Sequence, residues 1–172
     1  HQHVAKERSV NTTANLKHPF WDTTLRHKSL SAVTQAGLVN NLNDGMIWGL
    51  LPLLLLAKQF DQTQIGILAA IYPTVWGLSQ LGTGKLSDLY SKKMLLFWGM
   101  LGQAAGIILL VWASDFVHFA FIGVVLGLGT ALVYPTFLNA IADYTNPVQR
   151  AESLGTFRLW RDLGYAIGAL LT

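Results

Sequence analysis

The chain has 172 residues, 52% hydrophobic and only 12% charged, with a formal net charge of +3 and no cysteine. A soluble domain usually carries about 25% charge, and here the apolar residues form continuous blocks of bilayer length, so the composition argues against a soluble domain and for membrane helices. The missing cysteines exclude disulfide scaffolds, thiolate metal sites and cysteine nucleophiles, and the modest, dispersed positive charge fits membrane orientation rather than a nucleic-acid partner.

Residues 1–30 read as a polar cytoplasmic leader. The chain starts at His1, so the native start is expected to be missing or processed, and no apolar run marks a signal peptide. Asn11-Thr12-Thr13 matches a glycosylation acceptor, but the topology below places it in the cytoplasm, so the match reads as chance. Phe20, Trp21 and Leu25 either rest on the membrane surface or belong to a partly disordered tail.

Residues 31–172 read as a transmembrane bundle of about five spans, an all-α polytopic membrane fold. The first four are expected near 32–57, 63–83, 94–113 and 116–142. The fifth is expected to start near Pro147, with Asn146 as cap, Pro147 in the first helical position and Gln149 reaching back, and to be still running at Thr172. Such a helix is expected to continue in a larger protein. Between the second and third spans lies Gly84–Lys93, read as a polar hinge that cannot lie in lipid.

Orientation follows from the cations. Lys6, Arg8, Lys17, Arg26 and Lys28 precede the first span, Lys85, Lys92 and Lys93 lie between the second and third, and Arg150, Arg158 and Arg161 follow the fourth; only Lys58 falls on the other side. The positive-inside bias therefore predicts a cytoplasmic N-terminus in a plasma (inner) membrane.

Within the first span, Asp44 lies twelve residues beyond Ala32, roughly 18 Å along a helix rising about 1.5 Å per residue. That places it near the midplane, where a carboxylate costs several kcal/mol unless it meets water, a partner or a proton. Asn40, Asp44 and Trp48 are spaced by four and share a face. Two readings stay open: Asp44 lines a polar cavity and binds a cation or carries a proton, or it ties helices together through the neighbouring asparagines. In the second span Tyr72, Trp76 and Gln80 form a similar stripe, which lines a substrate path or packs helices. Pro73 and, in the fourth span, Pro135 are candidate kinks.

The third span has Gln103 as its one strongly polar residue and reads as lipid-facing. The fourth carries the small-residue ladder Gly123, Gly127, Ala131, a packing signal, with Tyr134 near the same face and able to reach a cavity. In the fifth, Arg158 and Asp162 are four apart and expected to pair, with Arg161 beside them; the alternative is a cation held for an anionic substrate or a gate.

Other patterns are weak. Gly82-Thr83-Gly84-Lys85 fails as a phosphate loop, because Ser79 takes the place of the first glycine and Leu86 that of the Ser or Thr. His1 and His3 lack further metal ligands, His118 reads as interfacial, and no nucleophilic triad or glycosidase-type carboxylate pair is visible. No metal, cofactor or enzymatic activity is expected.

At Gly84–Lys93 the chain resembles the major facilitator superfamily of secondary transporters, whose loop motif runs Gly-x-x-x-Asp-Arg-x-Gly-Arg-Arg/Lys. Gly84, Asp88, Lys92 and Lys93 match in place, while Leu89 stands where Arg is usual and Ser91 where Gly is usual. Gly155, Gly164 and Gly168 resemble the fifth-helix glycine motif of the antiporter branch, with Ala169 in place of its proline. Gly45 through Pro52 resembles the first-helix pattern, and Gly123 falls near the position where the fourth-helix motif has Arg.

The resemblance covers about residues 30–172. It implies twelve helices in two halves, of which this chain supplies about five from the N-terminal half, with the missing C-terminal half as partner. It implies that Asp88 acts as a conformational latch against a helix start in that other half. The expected function is movement of a small-molecule substrate across a lipid bilayer by alternating access, coupled to protons and directed outward. The rival expectation is a truncated fragment or assembly partner without transport activity.

Overall fold

The computed structural model describes residues 15–172, with the side chain of Asp88 outside the description. His1, His3, Lys6, Arg8 and the Asn11 acceptor pattern also lie outside the described residues. Five long helices dominate: α1 (Lys28–Ala57), α2 (Gln62–Leu89), α3 (Lys92–Leu109), α4 (Phe116–Tyr144) and α5 (Arg150–Leu170). A short helical turn (Pro19–Trp21) and a π-helical turn (Asp22–Arg26) precede α1, and a 3₁₀ turn (Leu110–Trp112) extends α3.

The turns explain where the helices stop. After α1 the chain reverses through Gln59, which adopts φ 64°. Gln59 N donates to Leu56 O (2.9 Å) and Phe60 N to Leu55 O (3.2 Å). That is the paired bonding of a Schellman C-cap, with glutamine where glycine is the unstrained choice. Two residues later Asp61 caps α2 in a capping box, accepting from Gln64 N at 2.9 Å while Gln64 Oε1 accepts from Asp61 N at 3.1 Å. At the start of α4, Asp115 Oδ1 accepts from His118 N at 2.9 Å.

The expected polar loop Gly84–Lys93 is mostly helical. α2 continues to Leu89, and only Tyr90 and Ser91 separate it from α3. With no proline or β-turn pair to stop it, the run Lys85–Leu89 extends the helix, and Ser87 Oγ donates to Gly84 O at 3.0 Å. The predicted cap of the fifth helix is also replaced. Asn146, Pro147 and Val148 form a turn in which Asn146 Oδ1 accepts from Val148 N (3.2 Å), and α5 begins at Arg150. Pro73 and Pro135 both lie inside continuous helices.

Among the described residues three helical stretches, Gln62–Ser87, Lys92–Trp112 and Phe116–Tyr144, are long and apolar enough to cross a bilayer. α1 and α5, at 30 and 21 residues, have the length, but Asn40, Asn41, Asn43 and Asp44 dilute α1, and five charged residues dilute α5.

The described chain divides into two compact units. One joins residues 15–46 to Phe137–Thr172; the other is Ile47–Thr136. The first unit is built on Leu30, Val33, Phe137, Ile141 and Phe157, with the Phe137 and Phe157 rings 5.6 Å apart. Within it α1 and α5 approach backbone to backbone. A Cβ on Gly164 would strike Leu38 O, one on Gly168 would strike Leu42 O, and one on Gly45 would strike Tyr165 O.

The second unit centres on Leu55, Leu68, Tyr72, Phe119, Ile122 and Leu126. Gly127 of α4 sits against Tyr72 O and Val75 of α2, and Gly99 and Gly106 of α3 sit against Val133 and Leu126 of α4. Small residues thus set helix spacing, as expected where lipid supplies no hydrophobic drive between helices. The third span is largely exposed, as its lipid-facing reading expects, but the face that carries Gln103 packs on α4. Gln103 is buried, and its Cγ would lie 2.8 Å from a Cβ on Gly129 of α4. The opposite side of α3 exposes Phe97, Trp98, Leu101 and Ile108, and α2 exposes Leu78 and Leu81. So much contiguous apolar surface is untenable in water and suits acyl chains.

Candidate functional site

In the first unit the candidates are Asn40, Asp44 and Arg161. Because α1 starts at Lys28, Asp44 falls near the centre of this thirty-residue helix. It is half-buried and engaged in interaction rather than free. Its neighbour Gly45 lies in the close α1–α5 crossing, against Tyr165 O and Ala169 N. The carboxyl group therefore leaves the chain at a point where α1 is fixed by its backbone against α5. One turn earlier Asn40 is 4% exposed. Its amide Nδ2 donates weakly to Asn41 Oδ1 (3.4 Å), and its Oδ1 is buried with no hydrogen-bond partner among the described residues. Buried amide oxygens are usually satisfied, so Asn40 offers unused acceptor capacity beside the carboxylate.

Arg161 does not leave its charge open. Its Nε and Nη2 both donate to Asp162 Oδ1, at 2.9 and 2.7 Å. The expected pairing of Asp162 with Arg158 is replaced by this adjacent pair, and Arg158 is exposed. Arg161 lies one turn before Tyr165, whose carbonyl faces Gly45.

In the second unit the aromatic candidates assemble into two pairs. Trp48 of α1 packs on Tyr72 of α2 (centroids 5.7 Å), and Trp76 of α2 meets Tyr134 of α4 edge-on (6.0 Å, 84°). Tyr72 is buried, and its hydroxyl shares a 2.9 Å hydrogen bond with Thr130 Oγ1 of α4. The cavity beside it, lined by Trp48, Leu51, Leu68, Tyr72, Phe119 and Leu126, measures only about 20 Å³. That is about one water's space, so in this conformation Tyr72 and Trp48 serve the core. Trp76 is only half-buried, yet its Nε1 is buried with no hydrogen-bond partner among the described residues. Gln80 is half-buried one turn further along α2.

Of the loop-motif residues, Gly84 sits inside α2 with open space where a Cβ would project. Lys92 and Lys93 open α3, and Asp88 is the last residue but one of α2. The latch expected of Asp88 falls on a side chain outside the description. The fifth-helix glycines divide: Gly164 and Gly168 are packing positions against α1, while Gly155 has nothing within 4 Å of a Cβ. Sequence reasoning missed the α1 side of this crossing, although Gly37 and Gly45 are spaced for it; a Cβ on Gly37 would strike the Phe157 ring. Among the described residues no group of three or more His, Cys, Asp or Glu side chains is placed to hold a metal.

The sequence is similar to known proteins. The family model for the Major Facilitator Superfamily matches residues 34–172. The probable L-galactonate transporter of Escherichia coli is 26% identical over 110 residues, covering 61% of this chain and 23% of that protein. The probable anion transporter 4, chloroplastic, of Arabidopsis thaliana is 24% identical over 121 residues, covering 68% of this chain and 22% of that protein. The tetracycline resistance protein, class H, of Pasteurella multocida is 25% identical over 148 residues, covering 84% of this chain and 37% of that protein. The chain thus spans between about a fifth and two fifths of these relatives' lengths. With its all-α fold and its apolar helices long enough to span a bilayer, this integral membrane protein belongs to the major facilitator superfamily.

Proposed function

We propose that residues 31–172 form the transmembrane part of the N-terminal half of a secondary transporter, with residues 1–30 as a cytoplasmic leader at the plasma membrane. The transporter moves a small solute by alternating access, rocking against a C-terminal half supplied beyond this sequence. The observation that carries the reading is Asp44, a carboxylate near the centre of a thirty-residue helix in a chain of the transporter family. An ionisable group at that depth is retained when it serves an ion or substrate path. Asp44 is the coupling group, taking up and releasing a proton, and Asn40 supplies a hydrogen-bond acceptor beside it. In the second unit, Trp76 offers an indole N–H and an apolar face to the solute, with Tyr134 and Gln80 as neighbours and Tyr72 as the support behind them.

Export is the favoured direction. The Gly155, Gly164 and Gly168 spacing is that of the antiporter branch, and the relative covering the largest share of this chain among the three is named for tetracycline resistance. Asp88, with Lys92 and Lys93, latches one state of the cycle.

Single-cysteine labelling, in a background freed of any other cysteine, supplies the test. Trp76→Cys in the whole transporter, reconstituted in vesicles, should react with membrane-impermeant maleimide, and solute should change the rate. A site that faces lipid or stays permanently packed would not react from either side, and that result would remove the solute path from α2.

A further inference from the structure

We infer that the segment Leu16–Arg26 is a built membrane-surface anchor that seats on anionic lipid headgroups. The inference is independent of the transport reading and needs only that the chain is embedded in a bilayer.

The segment is fastened from within. Gln149, at the entry to α5, grips the Leu16 backbone in both directions: its Oε1 accepts from Leu16 N at 2.9 Å and its Nε2 donates to Leu16 O at 2.7 Å. Further along α5, Trp160 Nε1 donates to Thr24 Oγ1 at 3.0 Å, and that hydroxyl donates to Phe20 O at 2.7 Å. Leu16, Thr23 and Thr24 are buried. Asp22 is the one carboxylate from residue 15 to residue 30, and its Oδ2 accepts from His18 N at 3.0 Å.

The outer face has the opposite character. Trp21 and Leu25, four apart on consecutive helical turns, are 51% and 62% exposed, and Val148 on the turn beside Gln149 is 89% exposed. The cations Lys17, Arg26 and Lys28 are exposed around them. An amphipathic segment with tryptophan and leucine outward and basic residues at its edges, joined through His27 to a thirty-residue helix, matches the headgroup region. Indole rings favour that depth, apolar side chains dip into the acyl boundary, and lysine and arginine are drawn to anionic lipid. The charge complementarity selects anionic over zwitterionic lipid as the occupant.

These 172 residues contain no cysteine, so Leu25→Cys in this chain is a single site for a nitroxide spin label. In phosphatidylcholine vesicles containing about a third phosphatidylglycerol, collisions of the label with lipid-dissolved oxygen should rise several-fold relative to an aqueous nickel chelate, compared with phosphatidylcholine alone. Screening by molar salt should reverse the shift. Lys17→Gln, Arg26→Gln and Lys28→Gln should each reduce the lipid-facing population by about fivefold, with helix content by circular dichroism unchanged. Trp21→Cys provides a second label site with the same expected response. Equal accessibility in both vesicle types, or protection from oxygen and nickel alike, would overturn the inference; the second pattern would mean that protein rather than lipid covers this face.

Discussion

Gly164 and Gly155 belong to the same helix and the same glycine spacing, yet one methyl group should move their stabilities in opposite directions. At Gly164 a Cβ would strike Leu38 O and lie 3.0 Å from the Leu38 carbonyl carbon; at Gly155 nothing lies within 4 Å. The obstacle at Gly164 is backbone, which cannot rotate away, so the cost belongs at the upper end for overpacking, about 3 kcal/mol. Alanine's helix propensity offsets about 1 kcal/mol of this. Gly164→Ala should therefore lose about 2 kcal/mol, and Gly155→Ala should gain about 1 kcal/mol. Gly168→Ala, facing Leu42 O, should behave like Gly164→Ala. Thermal unfolding in one detergent, followed by circular dichroism, should separate the Gly164 and Gly155 variants by roughly 6–12 °C, using about 2–4 °C per kcal/mol for a chain of this size. If Gly164→Ala melts with or above Gly155→Ala, the backbone-to-backbone crossing of α1 and α5 is wrong.

Three further perturbations test other joints. Gln59→Gly relieves the left-handed residue of the α1 C-cap and should stabilise by about 0.5–1 kcal/mol in the same melt; a loss would mean that the Gln59 side chain has a role beyond the turn. Tyr72→Phe strands Thr130 Oγ1 in the core and should cost about 1–3 kcal/mol, whereas adding Thr130→Val to it should recover part of that loss; simple additivity would deny the hydrogen bond. Gln149→Ala removes both bonds to Leu16, so limited trypsin digestion should cleave at Lys17 markedly faster than in the parent chain, and an unchanged rate would show that the segment is held by other contacts.

Apolar run length made the five helices and the short turn after α1 legible in the sequence, and the small-residue ladder gave the tight approach of α4 to α2 at Gly123 and Gly127. The failures have local causes. Gly84 suggested a break, but a single glycine costs only about 1 kcal/mol in a helix, and the residues after it keep the helix going. Asn146 and Gln149 carry the right chemistry for a cap, but Gln149 finds a better partner in the Leu16 backbone, a contact that joins residues 133 positions apart and leaves no periodic trace. The third span read as lipid-facing as a whole, which holds for most of its surface; Gly99 and Gly106, on the side of Gln103, were the missed clue to the one face that packs on α4. For the candidate site, spacing by four only predicted a common face for Asn40, Asp44 and Trp48. It did not separate Tyr72, which the Thr130 hydrogen bond commits to the core, from Trp76, whose ring nitrogen has no hydrogen-bond partner among the described residues.

The central claim is that the Asp44 carboxyl group carries the proton that drives solute movement. The direct measurement is solute flux in proteoliposomes holding the whole transporter, with and without an imposed pH gradient, for the parent and for Asp44→Asn. The predicted result is loss of gradient-driven accumulation in the variant, with solute exchange in the absence of a gradient retained and helix content unchanged. Accumulation driven as strongly in Asp44→Asn as in the parent would contradict it.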